Sequence, residues 1–136
     1  MNYETLFTMS ADGRLVDVEQ WKSYLGLSPT EFCRYGDNIP TKNSRCISMS
    51  SYWTYGILRS EYDSVDLQVS LLLDQLIPIA DKIVALKKKY NLEVGMSSFA
   101  WVGEGDLSDL DLFISAENIS KISMLLSDFS IRVYDQ

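Results

Sequence analysis

The sequence predicts an α+β domain, a mainly antiparallel sheet carrying its helices on one face. Three observations predict it. Residues 64–91 repeat apolar side chains at three- and four-residue steps, the period of a helix. Several shorter stretches alternate apolar and polar residues, the period of a strand. Turn residues, rather than long linkers or exact repeats, join these stretches, so 1–136 reads as a single domain. The element order is β-α-β-β-α-β-β-α-β, which has a ferredoxin-like flavour.

The first strand is Tyr3 to Met9, with Tyr3, Thr5, Phe7 and Met9 on one side. Ala11-Asp12-Gly13 turns the chain, and Asp17 is placed to cap a short helix that Gly26 stops. That helix buries Val18, Trp21 and Leu25, with Trp21 as a core anchor. Glu31 to Tyr35 reads as a short strand, and 36–44 has the Gly, Asp, Asn, Pro and Ser content of a loop. Cys46 to Ser50 and Tyr52 to Leu58 are strand-like, but apolar on both sides, so the inward face stays open.

Asp63 or Ser64 caps the start of the long helix, with Asp66 in its first turn and Lys87, Lys88 and Lys89 in its last, charges that suit the helix dipole. Val65, Val69, Leu72, Leu73, Leu76, Ile79, Ala80, Ile83 and Leu86 form its buried stripe. Pro78 removes a backbone donor and crowds the Asp74 carbonyl, which predicts a kink; Asn91 suits a left-handed stop. Leu92 to Val102 then alternates, setting Leu92, Val94, Met96, Ala100 and Val102 against Glu93, Gly95, Ser97, Phe99 and Trp101. After a turn at 103–106, Leu110, Leu112 and Ile114 form the inward set of a further strand. Ser115 caps a helix from Glu117 to about Asp128, with Ile119, Ile122, Leu125, Leu126 and Phe129 as its stripe, and Ile131 to Asp135 is the closing strand.

Composition narrows the function. The 46% hydrophobic and 12% aromatic content describes a packed domain rather than a disordered chain. A net charge of −7 repels phosphate backbones and anionic lipid, so neither nucleic acid nor membrane is expected as a partner, and cationic partners are favoured. Histidine is absent, which removes the usual general base and the commonest metal ligand. Cys33 and Cys46 lack zinc-type spacing; reduced thiols in a cytoplasmic protein are expected, with a disulfide between them left open. The opening MNYETLFTMS shows no export signal, and charged residues interrupt the long helix too often for a membrane span.

Leu25-Gly26-Leu27-Ser28-Pro29-Thr30, then Gly36-Asp37, Trp53, a Leu-rich helix holding Pro78, and a strand opening Leu92-Glu93-Val94 resemble a bacterial family, domain of unknown function 4279. The resemblance runs from about Thr5 to Tyr134 and rests on order and spacing. It brings no catalytic residues with it. Small bacterial domains that look like this family are thought of as candidate immunity proteins for secreted toxins. Gly36 and Asp37 match the family's Gly-Asp pair and, on physical grounds, form a turn.

Glu104, Asp106, Asp109 and Asp111 fall within eight residues. Hard carboxylate oxygens suit calcium or magnesium, but the spacing is not that of a twelve-residue calcium loop, so a solvated hairpin tip is expected and no cofactor or metal. Gly103-Glu104-Gly105 lacks the Lys and Ser/Thr of a phosphate loop. If Leu92, Val94 and Met96 face the helices, Phe99 and Trp101 face away, beside Asp109, Asp111 and Phe113 of the neighbouring strand. Arg132 and Tyr134 join them if the last strand pairs nearby. Aromatics rimmed by carboxylates suit a protein surface, whereas an RNA-binding sheet needs basic neighbours. Cover by a loop or a second copy is the competing reading. The expectation is a non-catalytic protein-binding domain whose partner site is Phe99, Trp101, Glu104, Asp106, Asp109, Asp111 and Phe113. Joined to the resemblance, this becomes an immunity protein for a cationic toxin domain. The alternative is an uncharacterised enzyme or small-ligand-binding domain using the acidic 104–111 hairpin; self-association stands third.

Overall fold

The computed structural model describes residues 1–40, 45–105, 110 and 112–135. Strand β1 (Asn2–Asp12) lies at the centre of a five-stranded sheet, paired on both sides. Tyr3, Thr5, Phe7, Met9 and Ala11 are buried on one side, while the residues between them are only half-buried. A 3-10 turn (Val18–Gln20) and helix α1 (Trp21–Leu25) follow, ended by Gly26 in the left-handed conformation. Asp17 makes no side-chain cap bond there; its carbonyl accepts from Gln20 N instead. Strand β2 (Glu31–Cys33) forms one edge of the sheet. Within the 36–44 segment expected as loop, β3 (Asn38–Pro40) is strand, and it pairs with β4 (Arg45–Ile47), which overlaps the start of the expected Cys46–Ser50 strand, as a small separate hairpin. The Gly36-Asp37 turn beside it has the predicted form, with Gly36 at φ 90 and the Asp37 carboxylate accepting from Arg34 N at 2.9 Å.

Strand β5 (Ser50–Glu61) pairs antiparallel with β1. It turns Ser51 and Trp53 inward, fully buried. The Ser51 hydroxyl accepts from Val16 N and Tyr35 N and donates to the Arg14 carbonyl, tying three segments together. The 28-residue helical stretch is split by Pro78 as its chemistry requires, into α2 (Val65–Leu76), a 3-10 turn (Ile77–Ile79) and α3 (Ala80–Tyr90). Ser64 accepts from Leu67 N to cap α2, and Asn91 ends α3 at φ 53. Gln68, inside the apolar stripe, is also fully buried. Its amide donates to the Tyr3 carbonyl at 2.9 Å and accepts from Thr5 Oγ1 at 2.8 Å; Thr5 has thereby used its one proton, so Ser98 Oγ donates to it at 2.8 Å.

Strand β6 (Glu93–Val102) pairs antiparallel with β1 on the side opposite β5, and β7 (Asp128–Asp135) pairs parallel with β6. The sheet order is therefore β2-β5-β1-β6-β7. The chain beyond β6 departs from the expectation in several places. Residues 112–115 are not strand, and β6 has β7 rather than a 110–114 strand as its second neighbour. Helix α4 (Ala116–Met124) ends earlier than Asp128 because Leu126 takes a left-handed turn, φ 54, and β7 begins at Asp128. Its stripe is also rotated: Ile122 and Leu125 are buried but Ile119 and Leu126 are exposed. Asn118 turns inward in their place, donating to Asp66 Oδ1 and Ser70 Oγ at 2.8 Å each, so a polar seam joins α4 to α2.

Both β5 and β6 run antiparallel to β1, so they are parallel to each other with β1 between, joined through α2 and α3; this split crossover is the ferredoxin-like element. The next crossover, β6 through α4 to β7, advances across the sheet in the same direction. Crossovers of one hand that advance in one direction must lie on one face of the sheet. All the long helices therefore cover the Phe7, Met96 and Trp53 side, and no helix of the described residues covers the opposite, bare side. Cys33 is buried, Cys46 is exposed, and both are free thiols. No helix of the described residues is long and apolar enough to cross a membrane.

Candidate functional site

The bare face is read row by row from the register. Asn2, Trp101 and Tyr134 lie side by side, then Glu4, Phe99 and Arg132, then Leu6, Ser97 and Ser130, then Thr8, Gly95 and Asp128. One end of the face is aromatic and the other is small and polar. At the aromatic end Phe99, Trp101 and Tyr134 form a closed triangle, with ring centroids 6.2 Å (Phe99–Trp101), 6.1 Å (Phe99–Tyr134) and 5.8 Å (Trp101–Tyr134) apart. These are the offset, tilted separations that aromatic rings prefer. Tyr134 is 41% exposed, and Phe99 and Trp101 are half-buried by one another.

Arg59 completes this end. Its guanidinium carbon lies 4.4 Å from the Trp101 ring centroid, a cation–π contact, and its backbone N–H donates to Glu4 Oε2 at 3.2 Å. Strict alternation along β5 puts Leu58, not Arg59, on this face. The β1–β5 register slips by one residue between Tyr3 and Thr5, and this bulge turns Arg59 over the sheet. Gly56 is required just before the bulge. A Cβ there would meet the Thr5 carbonyl oxygen and the Leu6 side chain at 2.4 and 2.6 Å.

Beyond Phe99 the face dips into a groove of about 280 Å³ lined by Leu6, Thr8, Glu93, Gly95, Ser97 and Asp128, among others. Gly95 leaves open space in its floor. Ser97 and Ser130 hydroxyls bond across it at 2.9 Å, and Thr8 and Thr54 do the same on the other flank. Farther along the face Tyr52 donates to Glu31 Oε1 at 3.0 Å. Burial, then this neighbouring carboxylate, pushes the phenol pKa up to about 12.

Of the residues expected to form the site, the structure brings Phe99 and Trp101 together, and Tyr134 and Arg132 join them as the β6–β7 pairing requires. Glu104 is exposed in the turn just beyond the Trp101 end of β6. Asp106, Asp109 and Asp111 lie outside the described residues. Phe113 is 50% exposed in the irregular segment before α4, and no ring contact among the described residues links it to Phe99 or Trp101. The neighbouring strand meant to carry it is absent from that segment. Among the described residues no group of three or more His, Cys, Asp or Glu side chains is placed to hold a metal ion. Sequence reasoning missed Arg59 and Asp128, and it placed Glu93 on the Phe99 face without giving it a role; Asp128 joins that face once β7 is known to start there.

A family model described as Domain of unknown function (DUF4279) matches residues 4–136. The chain belongs to that family. No curated protein and no solved structure matches it. The DUF4279 match spans β1 through β7, so the aromatic triangle and the groove both lie within the shared domain.

Proposed function

We propose that this DUF4279 domain is a non-catalytic protein-binding module, a bacterial immunity protein acting in the cytoplasm on a cationic toxin domain. The observation that carries this reading is the Phe99–Trp101–Tyr134 triangle on a sheet face that no helix of the described residues covers. Rigid aromatics with a basic neighbour such as Arg59 are the side chains that dominate binding energy at protein interfaces. The −7 net charge supplies the long-range attraction, with Glu104 at the edge of the face. The domain is co-expressed with the product of the gene beside its own, and the pair is assayed for complex formation and for relief of toxicity. Protection through a stable complex is expected; a neighbouring product that is neither basic nor bound overturns the reading.

Small-ligand binding is the second reading, favoured by the Gly95 groove, where Glu93 and Asp128 carboxylates stand beside the apolar sides of Leu6 and Phe99. That arrangement suits a small amine. Saturable thermal stabilisation by an aliphatic diamine, lost in Gly95→Leu, supports it; its absence across millimolar concentrations removes it.

A further inference from the structure

The last strand ends the sheet with an unused edge. β7 has β6 on one side and, among the described residues, no strand on the other, although it is eight residues long. A strand edge of that length presents a row of unpaired backbone donors and acceptors and invites a further strand. The opposite edge is only the three-residue β2.

The side chains of β7 specify what that strand is. Asp128, Ser130 and Arg132 share the bare face, opposite Gly95, Ser97 and Phe99, while Phe129 and Ile131 turn to the helix side. The run Asp128-Phe129-Ser130-Ile131-Arg132 is self-complementary about its centre. Antiparallel to a second copy, with Ser130 on the two-fold axis, Asp128 falls opposite the copy's Arg132 and Arg132 opposite its Asp128. Phe129 falls opposite the copy's Ile131, twice. Directly opposed residues of an antiparallel pair have Cβ atoms about 4.5–5.5 Å apart, close enough for both charge pairs and both apolar pairs. Neither Asp128 nor Arg132 has an ion-pair partner among the described residues. A parallel copy would instead set Asp128 against Asp128 and Arg132 against Arg132.

The helix side of the same edge points the same way. A groove of about 220 Å³ opens between α4 and β7, lined by Ile119, Ile122, Ser123, Ser127 and Phe129. Ile119 at its rim is 57% exposed. In the two-fold arrangement the copy's Ile131 arrives beside Phe129 at this groove. The −7 charge on each chain opposes association, but it is screened beyond about 8 Å at physiological ionic strength, so the local pairs set the register.

We infer that the β7 edge is a homodimer interface, in which two chains pair antiparallel about Ser130 to make one ten-stranded sheet. Such a two-fold keeps both bare faces on the same side, leaving each Phe99–Trp101–Tyr134 triangle open. The dimer is independent of the proposed toxin partner.

The test is analytical ultracentrifugation of the full chain and two charge-reversal variants. Unaltered protein should show a concentration-dependent monomer–dimer equilibrium. Arg132→Asp sets Asp against Asp, and Asp128→Arg sets Arg against Arg, so each should raise the dissociation constant by about tenfold or more. An equimolar mixture of the two restores both opposite-charge pairs and should dimerise at least as well as unaltered protein. A chain that stays monomeric near millimolar concentration overturns the inference. So do folded single variants that dimerise normally, or a mixture that associates no better than its components. Should either variant fail to fold, hydrogen exchange on unaltered protein decides. Backbone amides of 128–135 should gain protection as concentration rises, and concentration-independent exchange there refutes the interface.

Discussion

Truncating Trp101 to alanine separates a binding anchor from a core residue. The side chain has three partners: the Arg59 guanidinium at 4.4 Å, and the Tyr134 and Phe99 rings at 5.8 and 6.2 Å. An exposed cation–π contact contributes about 0.5–1 kcal/mol and each ring pair about 0.5–1.5 kcal/mol. Half-buried rings fall toward the lower ends, so Trp101→Ala should cost about 2 kcal/mol of stability. At about 3–5 °C per kcal/mol for a chain of this length, Tm should drop by about 6–10 °C. Stability of about 5–15 kcal/mol absorbs such a loss, so the variant remains folded. Its effect on the complex should be as large, about 2 kcal/mol or roughly thirtyfold in Kd, carried mostly by faster dissociation. Surface-immobilised partner measures the rates, with circular dichroism as the folding control. A folded variant with unchanged kinetics would place contact elsewhere on the molecule. Outright unfolding would make Trp101 a core residue and remove the surface.

Other outcomes follow from the same geometry. Leu76→Ala empties a fully buried site on α2 and should cost about 2–5 kcal/mol in chemical denaturation, with less than about 0.5 kcal/mol contradicting its placement. Trp53 is fully buried and its Nε1 has no hydrogen-bond partner among the described residues, so Trp53→Phe, which removes that donor, should cost less than about 2 kcal/mol while Trp53→Ala costs about 3–5 kcal/mol. Tyr52 has its folded pKa raised from 10.0 to about 12, so its contribution is fully present below pH 10 and is lost as pH rises toward 12; Tyr52→Phe should flatten that part of an alkaline stability curve. Neutralising Glu104, Asp106, Asp109 and Asp111 together should slow association and weaken its salt dependence with little change in dissociation, and unchanged association rates would exclude steering by this cluster.

The long helix was legible because its signals are local, whereas the Asp17 cap and the end and stripe of α4 were not. Ser64, Pro78 and Asn91 each act within one turn of backbone, and each is where the chemistry of its side chain puts it. The inward set of β6 was legible for the same reason, since alternation needs no knowledge of neighbours. Strand pairing was not. The apolar run Leu110, Leu112 and Ile114 has the spacing of an inward-facing strand, yet in the structure Leu112 and Ile114 pack against the core from irregular chain. Gln68 sat unnoticed inside an apolar stripe because its partners, Tyr3 and Thr5, lie more than sixty residues away.

The site depends on that non-local information more than the fold does. Phe99 and Trp101 could be assigned to the face opposite Met96 from β6 alone, but whether that face is covered depends on the direction in which successive crossovers advance. Had β7 joined the sheet beyond β5, the second crossover would have reversed, and same-handed geometry would have carried α4 onto the Phe99 side. Because β7 adds beyond β6, Tyr134 closes the aromatic triangle and no helix of the described residues crosses that face. The same choice sets Asp128, Ser130 and Arg132 along an outer edge. Strand order thus creates both the aromatic face and the self-complementary edge, and no short stretch of this sequence encodes it.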